Sequence, residues 1–140
     1  RPQVDCGEKM GYLPGTLEEK LGPWLLPVMD AIEGISGNPN EIVKRFVDFS
    51  PIGMMRGRSF HSRVVVCDEA QNLTFKQLKM LVTRIGHNSK MIICGDTDQS
   101  DLRDSGLAKI IQQLRSLHGI GVTEMPASDC QRSLIVRAML

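Results

Sequence analysis

The run Val64-Val65-Val66-Cys67 passes without a turn residue into Asp68-Glu69-Ala70-Gln71-Asn72. Successive β-branched residues favour a strand. Four apolar residues without polar alternation read as a strand buried on both faces. Such a strand brings two carboxylates to its tip, where something has to neutralise them. The pattern returns at Met91-Ile92-Ile93-Cys94, closed by Gly95-Asp96 and followed by Thr97-Asp98-Gln99. Between the two runs, Thr74 caps a helix reaching about Ile85, with Phe75, Leu78, Leu81, Val82 and Ile85 on one stripe. Gly86 stops it. Residues 107–117 read as a helix with Leu107, Ile110, Ile111 and Leu114 inward, residues 122–125 as a third strand and residues 132–140 as a last helix. This alternation predicts an α/β fold: a three-layer parallel sheet with helices on both faces.

The amino-terminal half is less regular. Residues 1–15 are punctuated by Pro2, Gly7, Gly11, Pro14 and Gly15 and read as loop. Thr16 is the expected cap of a helix through Leu21, Trp24, Leu25, Val28, Met29 and Ile32, broken or kinked by Pro23 and Pro27. Residues 34–40 read as a turn, 41–46 as a short helix, 47–52 as an alternating strand and 53–62 as a polar, basic loop.

Length and composition set bounds. The chain has 140 residues, 41% hydrophobic and 24% charged, which suits a single domain over 1–140 with its own core. A net charge of +1 neither requires nor excludes a polyanionic partner, because a local patch can sit on a neutral whole. One Trp, one Tyr and four Phe leave few platforms for stacking single-stranded bases. Cys6, Cys67, Cys94 and Cys130 form no CxxC and no zinc spacing, and Cys67 and Cys94 read as small buried thiols. A reducing cytoplasm is the expected setting. No apolar run approaches a membrane span and no signal peptide is visible, so no membrane partner is expected. The sequence opens at Arg1, which suggests a fragment or a processed product.

In a parallel α/β sheet, ligands bind beyond the carboxyl ends of the strands. Asp68 and Glu69 lie at one such end and Asp96 to Gln99 at another. Magnesium takes one or two carboxylates, several waters and substrate phosphates. Glu69, the second acid, stands where a base takes a proton from water attacking a phosphoryl group. The plainer alternative is that Asp68-Glu69 only caps the next turn. His61, His87 and His118 have no metal-binding spacing and read as surface or loop residues. Met54-Met55 reads as core filler.

Several stretches together resemble the PhoH-like ATPases, P-loop proteins related to superfamily-one helicases. Residues 65–72 resemble the family's Walker B element. Leu78-Lys79-Met80 and Leu81 to Gly86 are similar to its KMFLTRIG stretch. Ser89-Lys90-Met91, then Cys94-Gly95-Asp96 with Gln99, Asp101 and Leu102, is similar to its SKxxxxGDxxQxDL segment, and Ser105-Gly106-Leu107 matches as well. Arg1-Pro2, Gly7-Glu8-Lys9 and Gly11 to Gly15 resemble RPxxxxGExxGxLPG, and Met55 to Ser59 resembles MRGRT. The likeness covers nearly the whole chain in order.

The resemblance implies a partial RecA-like P-loop NTPase fold, ATP and Mg2+ as ligands, and residue roles. Asp68 would hold magnesium through water, Glu69 would be the general base, and Gln99 would sense the γ-phosphate with Asp96 nearby. Arg84 and Arg132 would contact phosphate, within one subunit or across a boundary. Arg1, Arg56 and Arg58 fall in segments that resemble nucleic-acid-facing or subunit-facing loops. For each arginine the alternative is an ordinary solvated charge. The family also implies RNA or single-stranded nucleic acid as partner and a ring-shaped homo-oligomer.

One departure stands out. No GxxxxGK[ST] is present, and residues 11–16, the nearest glycine cluster, lack the lysine and the preceding strand. In the family that loop lies upstream of RPxxxxGE. The chain therefore resembles the carboxy-terminal two-thirds of the ATPase domain, without the P-loop strand. In related sheets that strand lies between those corresponding to 90–94 and 120–125. Its absence would leave two apolar edges unpaired and the chain marginally stable alone. Two other readings stay open: a non-catalytic assembly or nucleic-acid-binding module, and an unrelated magnesium phosphohydrolase, which the motif order disfavours.

Overall fold

A βαβ unit organises the described part of the chain. The computed structural model describes residues 17–35 and 37–137; the expectations for residues 1–15, for the Thr16 cap, and for Arg1 and Cys6 lie outside it. Strand β1 (Val64–Cys67) pairs in parallel with β2 (Lys90–Ile93), in the register Val64↔Lys90 to Cys67↔Ile93. The connection is helix α3 (Phe75–Val82). Its start follows the sequence closely: the Thr74 hydroxyl accepts from the Gln77 N–H, and the Gln77 side chain accepts from the Thr74 N–H, a reciprocal capping box. Helix α4 (Leu107–Leu114) packs on α3. There Gly106 is required, since a Cβ would lie 2.1 Å from the Phe75 nitrogen.

The core comprises Cys67, Ala70, Leu73, Leu78, Leu81, Leu107 and Ile110, flanked by Ile52, Met55, Phe75, Met91, Ile93, Ile111 and Leu114. Phe75, Leu78 and Leu81 of α3 and the expected stripe of α4 thus face one side of the sheet, whereas Ile85, expected on the α3 stripe, lies beyond the helix and is 43% exposed. The other side differs from expectation. Val64, Val66 and Ile92 alternate with the inward residues and are 64%, 60% and 48% exposed. The described residues cover one face of the sheet, so three covered layers are not formed here. Cys94 is exposed as well, whereas Cys67 is buried. Met55 packs on the core as filler, while Met54 is exposed.

Two expected strands are not strands. Residues 122–125 are irregular and exposed, with Met125 84% accessible, and residues 47–51 are irregular before a 3-10 turn at Ile52–Met54. Both sequences have strand character, but a strand needs a neighbour to receive its backbone hydrogen bonds. The sheet of described residues contains β1 and β2 alone.

Helix α1 (Leu17–Glu33) runs unbroken through Pro23 and Pro27, against the expected break. Pro27 leaves unpaired the carbonyl four residues before it. Pro27 is exposed, where water can satisfy such a carbonyl. α1 packs on α2 (Pro39–Phe46), whose Asn38 cap accepts from the Glu41 N–H at 3.3 Å. Helix α5 (Leu134–Arg137) occupies part of the expected last helix.

Candidate functional site: the acidic loops at the carboxyl ends of the strands

Backbone bonds tie the two strand ends together. The Cys94 N–H donates to the Cys67 carbonyl at 2.8 Å, and the Ala70 N–H donates to the Cys94 carbonyl at 2.9 Å. Asp68, exposed, and Glu69, half-buried, are therefore held beside the loop that opens at Gly95. Glu69 adopts a left-handed conformation, φ 55° and ψ 37°. This is uncommon for a side-chain-bearing residue and persists where surrounding contacts enforce it. Here the fully buried Ala70 anchors the next residue.

Gln71 joins the two loops. It is 1% exposed, and its amide nitrogen donates to Glu69 Oε2 at 2.7 Å and, more weakly, to the Gln99 carbonyl at 3.5 Å. Its amide oxygen accepts from the Asp96 N–H at 3.1 Å, and its carbonyl accepts from the Ser100 hydroxyl at 3.0 Å. Asn72 accepts from the Asp101 N–H at 3.0 Å. The close approach needs Gly95, because a Cβ there would lie 2.8 Å from Gln71 Oε1.

Asp96 and Gln99 meet as the sequence suggested. One Asp96 carboxylate oxygen caps the turn at Thr97–Gln99 by accepting from the Asp98 N–H at 2.9 Å, and the other accepts from Gln99 Nε2 at 2.8 Å. Asp96 thus holds Gln99. Among the described residues no group of three or more His, Cys, Asp or Glu forms a ready-made metal cage. Hard carboxylate oxygens at an exposed strand tip suit hydrated magnesium, which uses few protein ligands. Burial pushes the Cys67 thiol up, so it stays protonated and packs as a small apolar group.

The arginines lie elsewhere. The Arg84 carbonyl accepts from the Phe60 N–H at 2.8 Å, ahead of the amino end of β1. The four residues of β1, about 13 Å of strand, separate that end from Asp68. Arg84 Nε is buried without a hydrogen-bond partner among the described residues. Arg58 donates to the Ser50 hydroxyl and, with Arg63, faces Asp48, and Arg56 is exposed in a turn. Arg132 is exposed ahead of α5. His61, His87 and His118 are exposed, as expected; the first two stack, with ring centroids 5.9 Å apart. The sequence reading gave Gln71 no role of its own. Its signal was a polar residue two positions past the acid pair, between Ala70 and Leu73.

Together these features define an α/β protein with paired acidic loops at adjacent strand ends. The chain belongs to the PhoH-like protein family, whose model matches residues 1–140. It is 40% identical over 146 residues to a PhoH-like protein of Bacillus subtilis, covering all of this chain and 46% of that protein. It is 38% identical to a PhoH-like protein of Mycobacterium tuberculosis, covering 97% of the chain and 40% of the relative. Protein PhoH of Escherichia coli is 36% identical, with 100% and 42% covered. The chain spans less than half the length of these relatives. No helix among the described residues is long and apolar enough to cross a membrane.

Proposed function

We propose that Asp68, Glu69 and the Asp96–Gln99 loop are the water-activating part of a magnesium-dependent ATPase site in a RecA-like P-loop domain. Asp68 orients hydrated magnesium, which supplies charge neutralisation at the phosphates. Glu69 accepts the proton of the water that attacks in line, and Gln99, held by Asp96, contacts the transferring phosphoryl group. The observation that carries this reading is the Glu69–Gln71–Asp96 connection, which holds the second acid of one strand tip against the loop of the next.

The chain contains no GxxxxGK[ST]. The reading places the phosphate grip in a part of such a protein that this chain does not span. Arg84, far along β1 from Asp68, serves a phosphate only across a boundary between copies, which accords with a ring. Arg132 is assigned the same task at either position. Arg1, Arg56 and Arg58 are assigned to RNA or single-stranded nucleic acid, or to a neighbouring copy.

The test is ATP hydrolysis by the full-length protein, with magnesium and with excess chelator, beside Glu69→Gln. Loss of a general base costs about 10²–10⁴-fold, so kcat falls by that factor while ATP affinity holds. A Glu69→Gln protein as active as the parent would remove Glu69 from the chemistry. The second reading is a non-catalytic binding module. It predicts no magnesium-dependent turnover in the full-length protein.

A further inference from the structure

We infer that the cleft at the amino ends of β1 and β2 binds a phosphate group through Arg63 and Lys90. The inference does not depend on the hydrolytic reading, because the cleft opens at the other end of the strands from Asp68 and Glu69.

The parallel register brings the two cations together. The Lys90 N–H donates to the Arg63 carbonyl at 3.0 Å, so the residues that open the two strands lie on chain segments about 5 Å apart. Both side chains line an open cleft of about 430 Å³ together with Ser62, Val64, Asn88 and Ser89, none of them acidic. Like charges side by side repel, so the placement gains folding nothing. The acid that approaches is Asp48, 3.9 Å from Arg63 and 3.8 Å from Arg58, with every side chain of the trio at least half exposed. Exposed pairs of this kind are worth little in water, and a more highly charged ligand can replace them. Arg58 and Arg63 share that one carboxylate and Lys90 adds a further charge, so the field at the cleft is positive.

The walls are fixed by the main chain. Ser62 and Asn88, one on the approach to each strand, are left-handed, with φ 52° and 54°. Among the described residues only Glu69 shares that conformation outside glycine. Such residues persist where contacts enforce them, and they gather at ligand clamps. The contacts here are the Ser62 N–H on the His87 carbonyl at 3.0 Å and the His87 N–H on His61 Nδ1 at 3.1 Å. The Ser89 hydroxyl donates to the Phe60 carbonyl at 2.8 Å and accepts from the Arg63 N–H at 3.2 Å. The backbone beneath the two cations is therefore set, while their side chains stay exposed.

The donor set selects the ligand. Arg63 offers a planar fork, Lys90 a compact charge, and Ser62 and Asn88 a hydroxyl and an amide. Donors of this number without a lining carboxylate suit an oxyanion, and a phosphate group has the charge and the oxygens to engage both cations. The cleft is open, so the phosphate is either free or carried in a polynucleotide backbone whose remainder stays in solvent.

The experiment uses the full-length protein and two probes. Equilibrium dialysis follows radiolabelled inorganic phosphate, and fluorescence anisotropy follows a short labelled oligouridylate strand. Arg63→Gln, Lys90→Gln and the double variant are set beside Lys76→Gln with Lys79→Gln, which removes the same charge from exposed positions of α3. Affinity for at least one probe falls at least about tenfold in the double variant and about threefold in each single one, while the α3 pair stays within about twofold. Lys90→Arg, which keeps the charge, retains binding. Loss seen with inorganic phosphate identifies a free anion as the ligand. Loss confined to the oligouridylate identifies a backbone phosphate, and the salt dependence of binding then flattens with each cation removed. Exposed charges add little to folding, so the single variants melt within about 3 °C of the parent and decide the matter if the double variant unfolds. Binding of both probes unchanged in the double variant overturns the inference. So does a loss matched by the α3 pair, which reports net charge alone, and so does a parent protein that binds neither probe.

Discussion

The two ends of the β1–β2 pair are built differently from the same strands. At the carboxyl end, the loops after β1 and β2 are cross-linked by side chains: Gln71 to Glu69 and Asp96, Asn72 to Asp101, Ser100 to Gln71. At the amino end, main-chain bonds are joined by shorter-reaching side-chain ones: the Ser89 hydroxyl donates to the Phe60 carbonyl at 2.8 Å and accepts from the Arg63 N–H at 3.2 Å, and His61 Nδ1 accepts from the His87 N–H at 3.1 Å. Phe60 exchanges bonds with Arg84 and Gly86, Ser62 donates to His87, and Lys90 donates to Arg63. Side chains there are largely exposed, Arg63 and Lys90 among them, around an open cleft of about 430 Å³ lined by Ser62, Arg63, Val64, Asn88, Ser89 and Lys90. The acidic end spends a buried amide on fixing one carboxylate, which a structure needing only to turn would not require. The basic end leaves its charges in water, where they contribute to the local field more than to folding.

Both ends stand on one core, and removing part of it bears on them equally. Leu78 is fully buried between the sheet and α4, so Leu78→Ala should cost about 2–5 kcal/mol. Chemical denaturation checks this. A loss confined to one end, seen as unequal amide-exchange protection, would show that the ends fold independently.

The glycines of the two ends allow a sharper comparison. A Cβ at Gly86 would lie 2.5 Å from His61 Nδ1 and 2.7 Å from the Phe60 carbonyl, and one at Gly95 would lie 2.8 Å from Gln71 Oε1 and Leu107 Cδ2. Both alanine variants should lose about 1–3 kcal/mol through overpacking. Melting and turnover measured together tell them apart. Gly95→Ala should lose turnover beyond its loss of stability, because it displaces Gln71. Gly86→Ala should lose stability and keep the rate per folded molecule. Equal rate losses would break the distinction between the ends.

The smallest effect belongs to the basic end. Arg63 and Asp48 lie 3.9 Å apart with both side chains more than half exposed. Arg63→Ala should change stability by less than about 1 kcal/mol and leave basal ATP turnover within about twofold. A large drop in basal turnover would show that the amino end belongs to the reaction after all.

Much of the βαβ unit was legible because its signals are local. The Thr74 cap, the stripe through Leu78 and Leu81 and both strands follow from neighbours in sequence, but the expected stop at Gly86 is not where α3 ends: it closes at Val82 with Thr83 as its cap. The pairing of Asp96 with Gln99 is also local, three residues apart on one turn. Strand signals at 47–52 and 122–125 misled, because an extended segment becomes a strand only when a distant neighbour supplies hydrogen bonds. The apolar run Val64-Val65-Val66-Cys67 likewise could not show that one sheet face would be open. Pro23 and Pro27 marked a break that α1 does not make.

The sequence by itself determined the helices, the two apolar strands and the acids that follow them, since propensity, capping and periodicity act over a few residues. Tertiary structure decided which of those groups meet. Gln71 and Asp96 stand 25 positions apart, and their hydrogen bond exists because parallel pairing aligns Cys67 with Ile93 and Gly95 lets the two loops close. That same alignment sends Arg84 to the opposite end of the strands, because a helix linking two parallel strands must run back the way the first one came.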